Sequence, residues 1–370
     1  MAAHNPDNER IKRQYFLFLK EAKRQSEDSV DAVAKALARF EADTRYRDFR
    51  AFHFEQAVAF KRRLAAQDSR NTGGKLSKAT QHATLAQLKR FFEWLAVQPG
   101  YRSKLRYSDA EYFNLSEKDA RVATARRERP APTLDQIRHV IALMPTASDL
   151  ERRNRALVAF AILTGARDSA IASMKLKHVD LGAGSVFQDA REVKTKFSKS
   201  FTTYFFPVGC GARRIVEEWV TYLREEKLWG NDDPLFPSTL LELGDSMQFE
   251  AVGVARKHWT TAAPIRAVFR RAFEGAGLPY FNPHSFRSTL VQLGQQLCRD
   301  PEQFKAWSQN LGHEGVLTTF LSYGSVAAQR QGQILQALAA PPAAGGGDPG
   351  ATARAVMEAL KSAGLLPVGS

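Results

Sequence analysis

Four short stretches of the chain carry residue types suited to chemistry on a phosphate. In order they are LTGARDSAI with Arg167, KTKFSKS with Lys194, Lys196 and Lys199, PHSFR with His284 and Arg287, and LGH with His313, followed ten residues on by Tyr323. Two arginines can each hold non-bridging phosphate oxygens through a planar fork of donors, and they stay charged at any working pH. His284 and Arg287 are three apart, so they share one helix face. They also sit in the first turn of a helix, where free N–H groups and the dipole favour an anion. A tyrosine becomes a covalent nucleophile when a neighbour accepts its proton or cations lower its pKa. A lysine on a hairpin can approach the far side of the phosphate and supply a proton. Electrostatic clamping of this kind is the main requirement of phosphoryl transfer. Taken singly, each stretch has an ordinary use: helix-end solvation, hairpin-turn solvation, helix capping or core packing. Only the set points to chemistry.

Those residues need elements to position them. The first ~117 residues read as a bundle of four or five helices. Its apolar positions are Ile11, Tyr15, Phe18 and Leu19, then Val30, Val33, Leu37 and Phe40, then Phe54, Val58 and Leu64. A loop, DSRNTGGK, leads to a long helix over about 77–97, with Leu85, Leu88, Phe92 and Leu95 on one face and Pro99-Gly100 at its end. The basic stretch 118–132 reads as an extended interdomain linker. Capping boxes at Thr133/Gln136 and Ser148/Glu151 open two helices, and Gly165 can stop the second. Residues 185–208 read as a β-hairpin or small sheet around FSKS. Helices follow at about 211–228, 261–276, 284–297 and 301–310, with Asn282-Pro283 and Asp300-Pro301 as cap-then-proline starts. The expected organisation is a tail (1–9), a helical domain (10–117), the linker (118–132), a mixed α/β domain (133–340), a flexible linker (341–350) and a short amphipathic helix or tail (351–370).

The 370 residues carry 53 Lys and Arg against 39 Asp and Glu, a formal charge of +14, which favours a polyanionic partner, whether DNA, RNA or an anionic membrane, and does not choose among them. Candidate contacts for such a partner are Lys75, Lys78, Lys89 and Arg90 in the helical domain and Arg126, Arg127 and Arg129 in the linker. No run of about 18 apolar residues marks a membrane span, and the polar N-terminus is no secretory signal. Two distant cysteines, Cys210 and Cys298, fit a reducing cytoplasm and read as buried thiols. No Asp/Glu cluster at metal-ligand spacing and no GxxxxGKS/T loop is visible, so the expected cofactors are none.

The order Arg, Lys, His-x-x-Arg, Leu-Gly-His, Tyr is similar to the catalytic signature of the tyrosine recombinases of the phage-integrase family, over about 160–324. The helical N-terminal region resembles that family's core-binding domain, so the likeness covers most of the chain. It implies a mainly α fold with a small β-hairpin, forming a C-shaped clamp on duplex DNA. Carried over residue by residue, Arg167 (TGxR) and Arg287 would bind the scissile phosphate. His284 would assist proton transfer to and from the tyrosine, and His313 would bond a phosphate oxygen. Tyr323 would attack phosphorus, expel a 5′-hydroxyl and stay joined to the 3′-phosphate. The hairpin pattern TK-x-x-K matches Thr195-Lys196-Phe197-Ser198-Lys199 and favours Lys196 as the acid, while the overlapping Lys194-Thr195 pair keeps Lys194 open. Where the family often has an acid three residues after the first arginine, this chain has Ala170, and Asp168 would substitute in part.

The resemblance further implies a site-specific recombinase that needs neither metal nor ATP, working as a homotetramer on two double-stranded DNA sites and passing through a Holliday junction. It leaves room for an accessory DNA-bending or directionality factor, and implies bacterial or phage origin, on nucleoid DNA in the cytoplasm. Family members dock a C-terminal helix on a neighbour, a use that 351–366 or 326–337 would fit. A type IB topoisomerase shares the chemistry but works as a monomer without site preference. A non-catalytic DNA-binding protein would need one of Arg167, Arg287 or Tyr323 to be missing. An RNA-binding module finds no RNP-like aromatic motif here.

Overall fold

The computed structural model describes residues 4–69, 73–125, 130–195, 199–209, 211–244 and 247–313. The readings for Arg126, Arg127, Arg129, Lys196, Cys210, Tyr323 and the segments 326–337 and 351–366 lie outside them. The chain divides into two units, 1–126 and 127–370.

The first unit is helical. Side-chain caps at Asn5, Ser26, Ser77 and Ser116 open α1 (Pro6–Leu17), α2 (Glu27–Asp43), α4 (Lys78–Leu95) and α5 (Glu117–Thr124), each taking up orphan N–H groups. The faces expected on α2 and α4 are buried, and Phe40, Phe52, Phe92 and Phe113 pack ring on ring at their centre. Fully burying one such ring contributes about 1.5–3 kcal/mol. The face of α3 (Phe54–Ala66) differs from the expectation. Ala57, Phe60 and Leu64 turn inward, while Phe54 is exposed against Tyr112. Spacings of three and four join 57, 60 and 64, and a helix three turns long has room for one apolar stripe only. The segment expected as an extended linker also differs at its start. Residues 117–124 are helical because Ser116 caps the turn and Lys78 holds Asp119 at 3.1 Å.

The second unit is built around α7 (Asp149–Thr164), where every residue from Ala156 to Thr164 is buried. It and α6 (Leu134–Leu143) open on the two capping boxes read from sequence. Past α7 come the single turn α8 (Asp168–Ile171) and an antiparallel sheet ordered β1 (Val179–Asp180), β2 (Ser185–Gln188), β3 (Phe201–Tyr204). Then α9 (Ala212–Thr221), a two-stranded ribbon β4 (Ser238–Leu243) and β5 (Phe249–Ala255), α10 (Ala263–Gly275), α11 (Ser285–Leu297) and α12 (Pro301–Asn310) follow. The mainly helical fold with a small sheet is as expected; the ribbon was not anticipated. Asp300 caps α12 ahead of Pro301 as read. The other cap-then-proline start is corrected: α11 begins two residues after Pro283. Asn282 instead closes a turn, its side chain accepting from Ser285 N at 3.2 Å. Cys298 is half-buried and free rather than fully buried. No helix among the described residues is long and apolar enough to cross a membrane.

Candidate active site

Arg287 sits in the first turn of α11 and is 2% exposed. Its guanidinium donates to Gly165 O at 2.6 Å, to Leu311 O at 2.6 Å and to His313 Nε2 at 2.9 Å. No carboxylate pairs with it among the described residues, and its Nε–H has no partner there. A buried cation held only by neutral acceptors is an expensive arrangement that an anion would relieve. Because Nε2 of His313 accepts, a neutral ring carries its proton on Nδ1.

This one side chain gathers three of the four sequence stretches. Gly165 ends α7 in the left-handed region at φ +61°, and Arg167 follows two residues later. His284 is the N-cap residue of the helix that carries Arg287. Gly312 holds φ +70°, and a Cβ there would stand 2.7 Å from the Phe201 ring. Glycine is therefore required in LGH twice over, by backbone and by space. Gly312→Ala should cost about 1–3 kcal/mol, from left-handed strain plus crowding. Thermal unfolding monitored by circular dichroism checks it, and an unchanged melting temperature would remove this reason for the glycine.

Sequence reasoning missed Asn310. Its side-chain amide accepts from Tyr204 N at 2.7 Å and donates to Tyr204 O at 2.8 Å, while its carbonyl takes the Thr203 hydroxyl at 3.1 Å. The amide thus imitates a strand neighbour on the edge of β3 and fixes the turn that presents His313. An Asn before LGH was the only available signal.

Arg167, Asp168, Arg266, Asn282, Pro283 and His284 line one pocket of about 320 Å³. Arg266, on α10, was also missed. It donates to Asp168 Oδ2 at 2.7 Å, which gives Asp168 a role the sequence left vague. Ala170 is buried in the core. Among the described residues lining this mouth, Asp168 is the only acid, against Arg167, Arg266 and His284.

The loop between β2 and β3 is anchored at several points. Arg191 grips Asp189 through two donors, and that hydrogen-bonded pairing holds the Asp189 carboxyl down at about 2. Glu192 meets Lys177 at 2.9 Å and His178 at 3.0 Å. Lys175 N donates to His178 Nδ1, so Nε2–H donates to Glu192, and burial pushes the ring below its ordinary value. Lys194 N donates to the Ser173 hydroxyl at 2.9 Å, and Lys194 O accepts from Ser169 Oγ at 3.3 Å, two residues past Arg167. The loop's start is therefore fixed beside the arginine. Lys194 is exposed and Lys199 half-buried.

Of the candidate DNA contacts in the first unit, Lys75 pairs with Asp68 at 2.9 Å, Lys78 with Asp119 at 3.1 Å and Lys89 with Glu111 at 2.8 Å. Arg90 is exposed. Surface pairs of this kind are worth about 0–1 kcal/mol, so a phosphate can compete for these lysines.

Residues 133–330 match the model of the phage integrase family. The tyrosine recombinase XerC of Lactobacillus delbrueckii subsp. bulgaricus is 25% identical over 254 residues, covering 67% of this chain and 72% of that one. XerC of Halalkalibacterium halodurans is 27% identical over 177 residues, 46% and 50% of the two chains. Among solved structures, a lambda integrase (75–356) dimer bound to a COC′ core site aligns with TM-score 0.58 at 12% identity, covering 85% of this chain and 95% of that one. The Tn1549 transposon integrase in complex with transposon right end DNA aligns with TM-score 0.53 at 12% identity, covering 89% and 99%. These structural likenesses establish the fold.

Proposed function

This chain belongs to the phage integrase family and is a tyrosine recombinase, an enzyme of site-specific DNA recombination; from that premise we propose that it cuts and rejoins duplex DNA through a phosphotyrosine on Tyr323. The observation that carries the residue assignment is the Arg287 clamp, which joins the Arg167 turn, the His284 helix and the His313 turn through one buried guanidinium. In the proposed reaction Arg167 and Arg287 bind the non-bridging oxygens of the scissile phosphate. Tyr323 Oη attacks phosphorus while His284 assists removal of its proton. The P–O5′ bond breaks, the 5′-oxygen takes a proton from the hairpin lysine, and the 3′-phosphate stays on Tyr323. Attack by a second 5′-hydroxyl reverses these steps and releases the tyrosine. The covalent bond conserves the energy of the one broken, so the scheme consumes no nucleotide, and the cations do the work a metal ion does elsewhere.

Solved neighbours of the chain were captured on DNA, and one is a lambda integrase tetramer bound to a Holliday junction. That supports duplex DNA as partner and a multimer as the working form, four protomers on two sites. The test needs no knowledge of the site. Duplexes of random sequence are incubated with the purified chain and a chelator, without nucleotide, and covalent protein–DNA complexes are precipitated from detergent and sequenced. A recurrent motif among the trapped DNA is expected; an absence of covalent complexes contradicts the reading.

The recovered motif then serves to assign the acid. A 5′-alkoxide leaving group is roughly as basic as hydroxide, with a pKa near 15.7 for water, and a positioned acid supplies about 10²–10⁴-fold. Lys196→Ala should slow cleavage by about that factor. A 5′-bridging sulfur, whose pKa of about 8.5 by analogy with cysteine makes it a better leaving group, should restore it. Rescue of Lys194→Ala instead would make Lys194 the acid, and rescue of neither would move the proton source elsewhere.

A further inference from the structure

Among the described residues the β4–β5 ribbon is fastened at its base. Arg153 of α7, buried, donates to Pro237 O at 3.0 Å and Thr239 Oγ1 at 3.2 Å and lies over the Trp259 ring. Ser238 N donates to Lys257 O at 2.8 Å. A bulge then separates Leu240 from Leu241. Past it the register pairs Leu241 with Ala251, Glu242 with Glu250 and Leu243 with Phe249. Alternation puts Leu241, Leu243, Ala251 and Phe249 on one face and the two glutamates on the other.

Leu241 is 55% exposed, Leu243 56% and Phe249 74%, with Met247 in the connecting turn at 77%. Among the described residues nothing covers this tip. A contiguous apolar patch of this kind marks an interaction site rather than ordinary surface. A two-stranded ribbon is also marginal in water without something to pack on. Like charges directly across a ladder destabilise it further, and neither Glu242 nor Glu250 has an ion-pair partner among the described residues. The tip therefore lacks two things, apolar cover and cations.

DNA supplies neither, because its phosphates repel the glutamates. A second copy of this chain supplies both: cations, with a net charge of +14, and exposed apolar side chains such as Leu17, Leu143 and Leu228. We propose that the ribbon tip docks on another copy of the chain, burying Leu241, Leu243 and Phe249 while Glu242 and Glu250 meet lysine and arginine at the rim of the contact. The contact is independent of Tyr323 and of the cleavage chemistry, so it stands or falls apart from them.

The experiment uses the full chain without DNA. p-Benzoylphenylalanine replaces Phe249 in an equal mixture of ¹⁴N- and ¹⁵N-labelled copies, and cross-linked peptides are identified by mass spectrometry after irradiation. Mixed-isotope cross-links are expected. Cross-links confined to single-isotope pairs would show the tip folding back on its own chain and overturn the proposal, as would no cross-links at all. A parallel arm adds a random-sequence duplex, and capture of that duplex at position 249 would equally overturn it. Sedimentation then compares the unmodified chain with Leu243→Asp/Phe249→Asp. Both side chains are exposed, so the melting temperature should hold while self-association weakens at least about tenfold. Glu242→Lys/Glu250→Lys should weaken it as well. Unchanged self-association in both variants would overturn the proposal.

Discussion

Arg287→Ala is expected to lower the stability of the second unit by about 3–5 kcal/mol and to abolish DNA cleavage. The substitution strips three hydrogen bonds at once and leaves Gly165 O and Leu311 O without their donor in a buried site. An unsatisfied buried acceptor costs about 1–3 kcal/mol, and the lost side-chain volume adds a cavity term. For a domain of this size about 1 kcal/mol corresponds to roughly 2–4 °C, so the melting temperature should fall by about 6–20 °C. Because a misfolded variant is inactive for an uninformative reason, Arg287→Lys is the sharper probe. An ammonium keeps the charge but cannot span two carbonyls and a ring nitrogen as a planar fork does. It should retain much of the fold and still lose about 10²–10³-fold in cleavage, the usual cost of removing a preorganised donor. Wild-type cleavage by a stable Arg287→Lys variant would reduce Arg287 to a structural clamp. An unchanged melting temperature in Arg287→Ala would show that the clamp does not hold these segments.

The spare donor capacity of Arg287 explains how one residue could serve both purposes in the proposed reaction. The carbonyl and imidazole contacts use three of the guanidinium's five N–H donors. The buried Nε–H is one that remains, unpartnered among the described residues. Such orphaned donors are rare in native interiors and call for an explanation. The proposed reaction supplies one, since an anion bound here would satisfy both the charge and the spare donor.

Much of this arrangement was legible in the sequence, for local reasons. Thr133/Gln136 and Ser148/Glu151 cap their helices through contacts within four residues. The stop at Gly165 depends on one backbone angle, and the enrichment in β-formers on either side of FSKS announced β2 and β3. What was illegible rests on contacts between distant segments. Asn310 clamps Tyr204 across 106 positions, and Arg266 meets Asp168 across 98. No short window contains either pair. The inward stripe of α3 was misphased because Phe54 is apolar and periodic, yet tertiary packing chose Ala57, Phe60 and Leu64. The β4–β5 ribbon escaped notice because its apolar residues face outward, so the alternation did not read as a buried face.

Tyr323→Phe carries the other large effect. Removing the phenolic oxygen removes the only nucleophile the proposed mechanism offers, while the ring and the cationic pocket stay. DNA affinity should therefore be unchanged within about twofold, since binding rests on phosphate contacts elsewhere. Covalent adducts should vanish, and a 5′-bridging sulfur should not restore them, because the fault lies in attack and not in departure. That behaviour separates Tyr323 from Lys196. An adduct that survives in Tyr323→Phe would transfer the nucleophile to another residue.

The most direct test is chemical identification of the link itself. The covalent complex trapped from wild-type protein is digested with nuclease and protease, and the nucleotide-bearing peptide is sequenced by mass spectrometry. A single peptide containing Tyr323 is expected, its phenolic oxygen esterified to a 3′-phosphate, with a free 5′-hydroxyl on the other side of the break. A nucleotide on any other residue, or a 5′-phosphate joined to the protein, would contradict it.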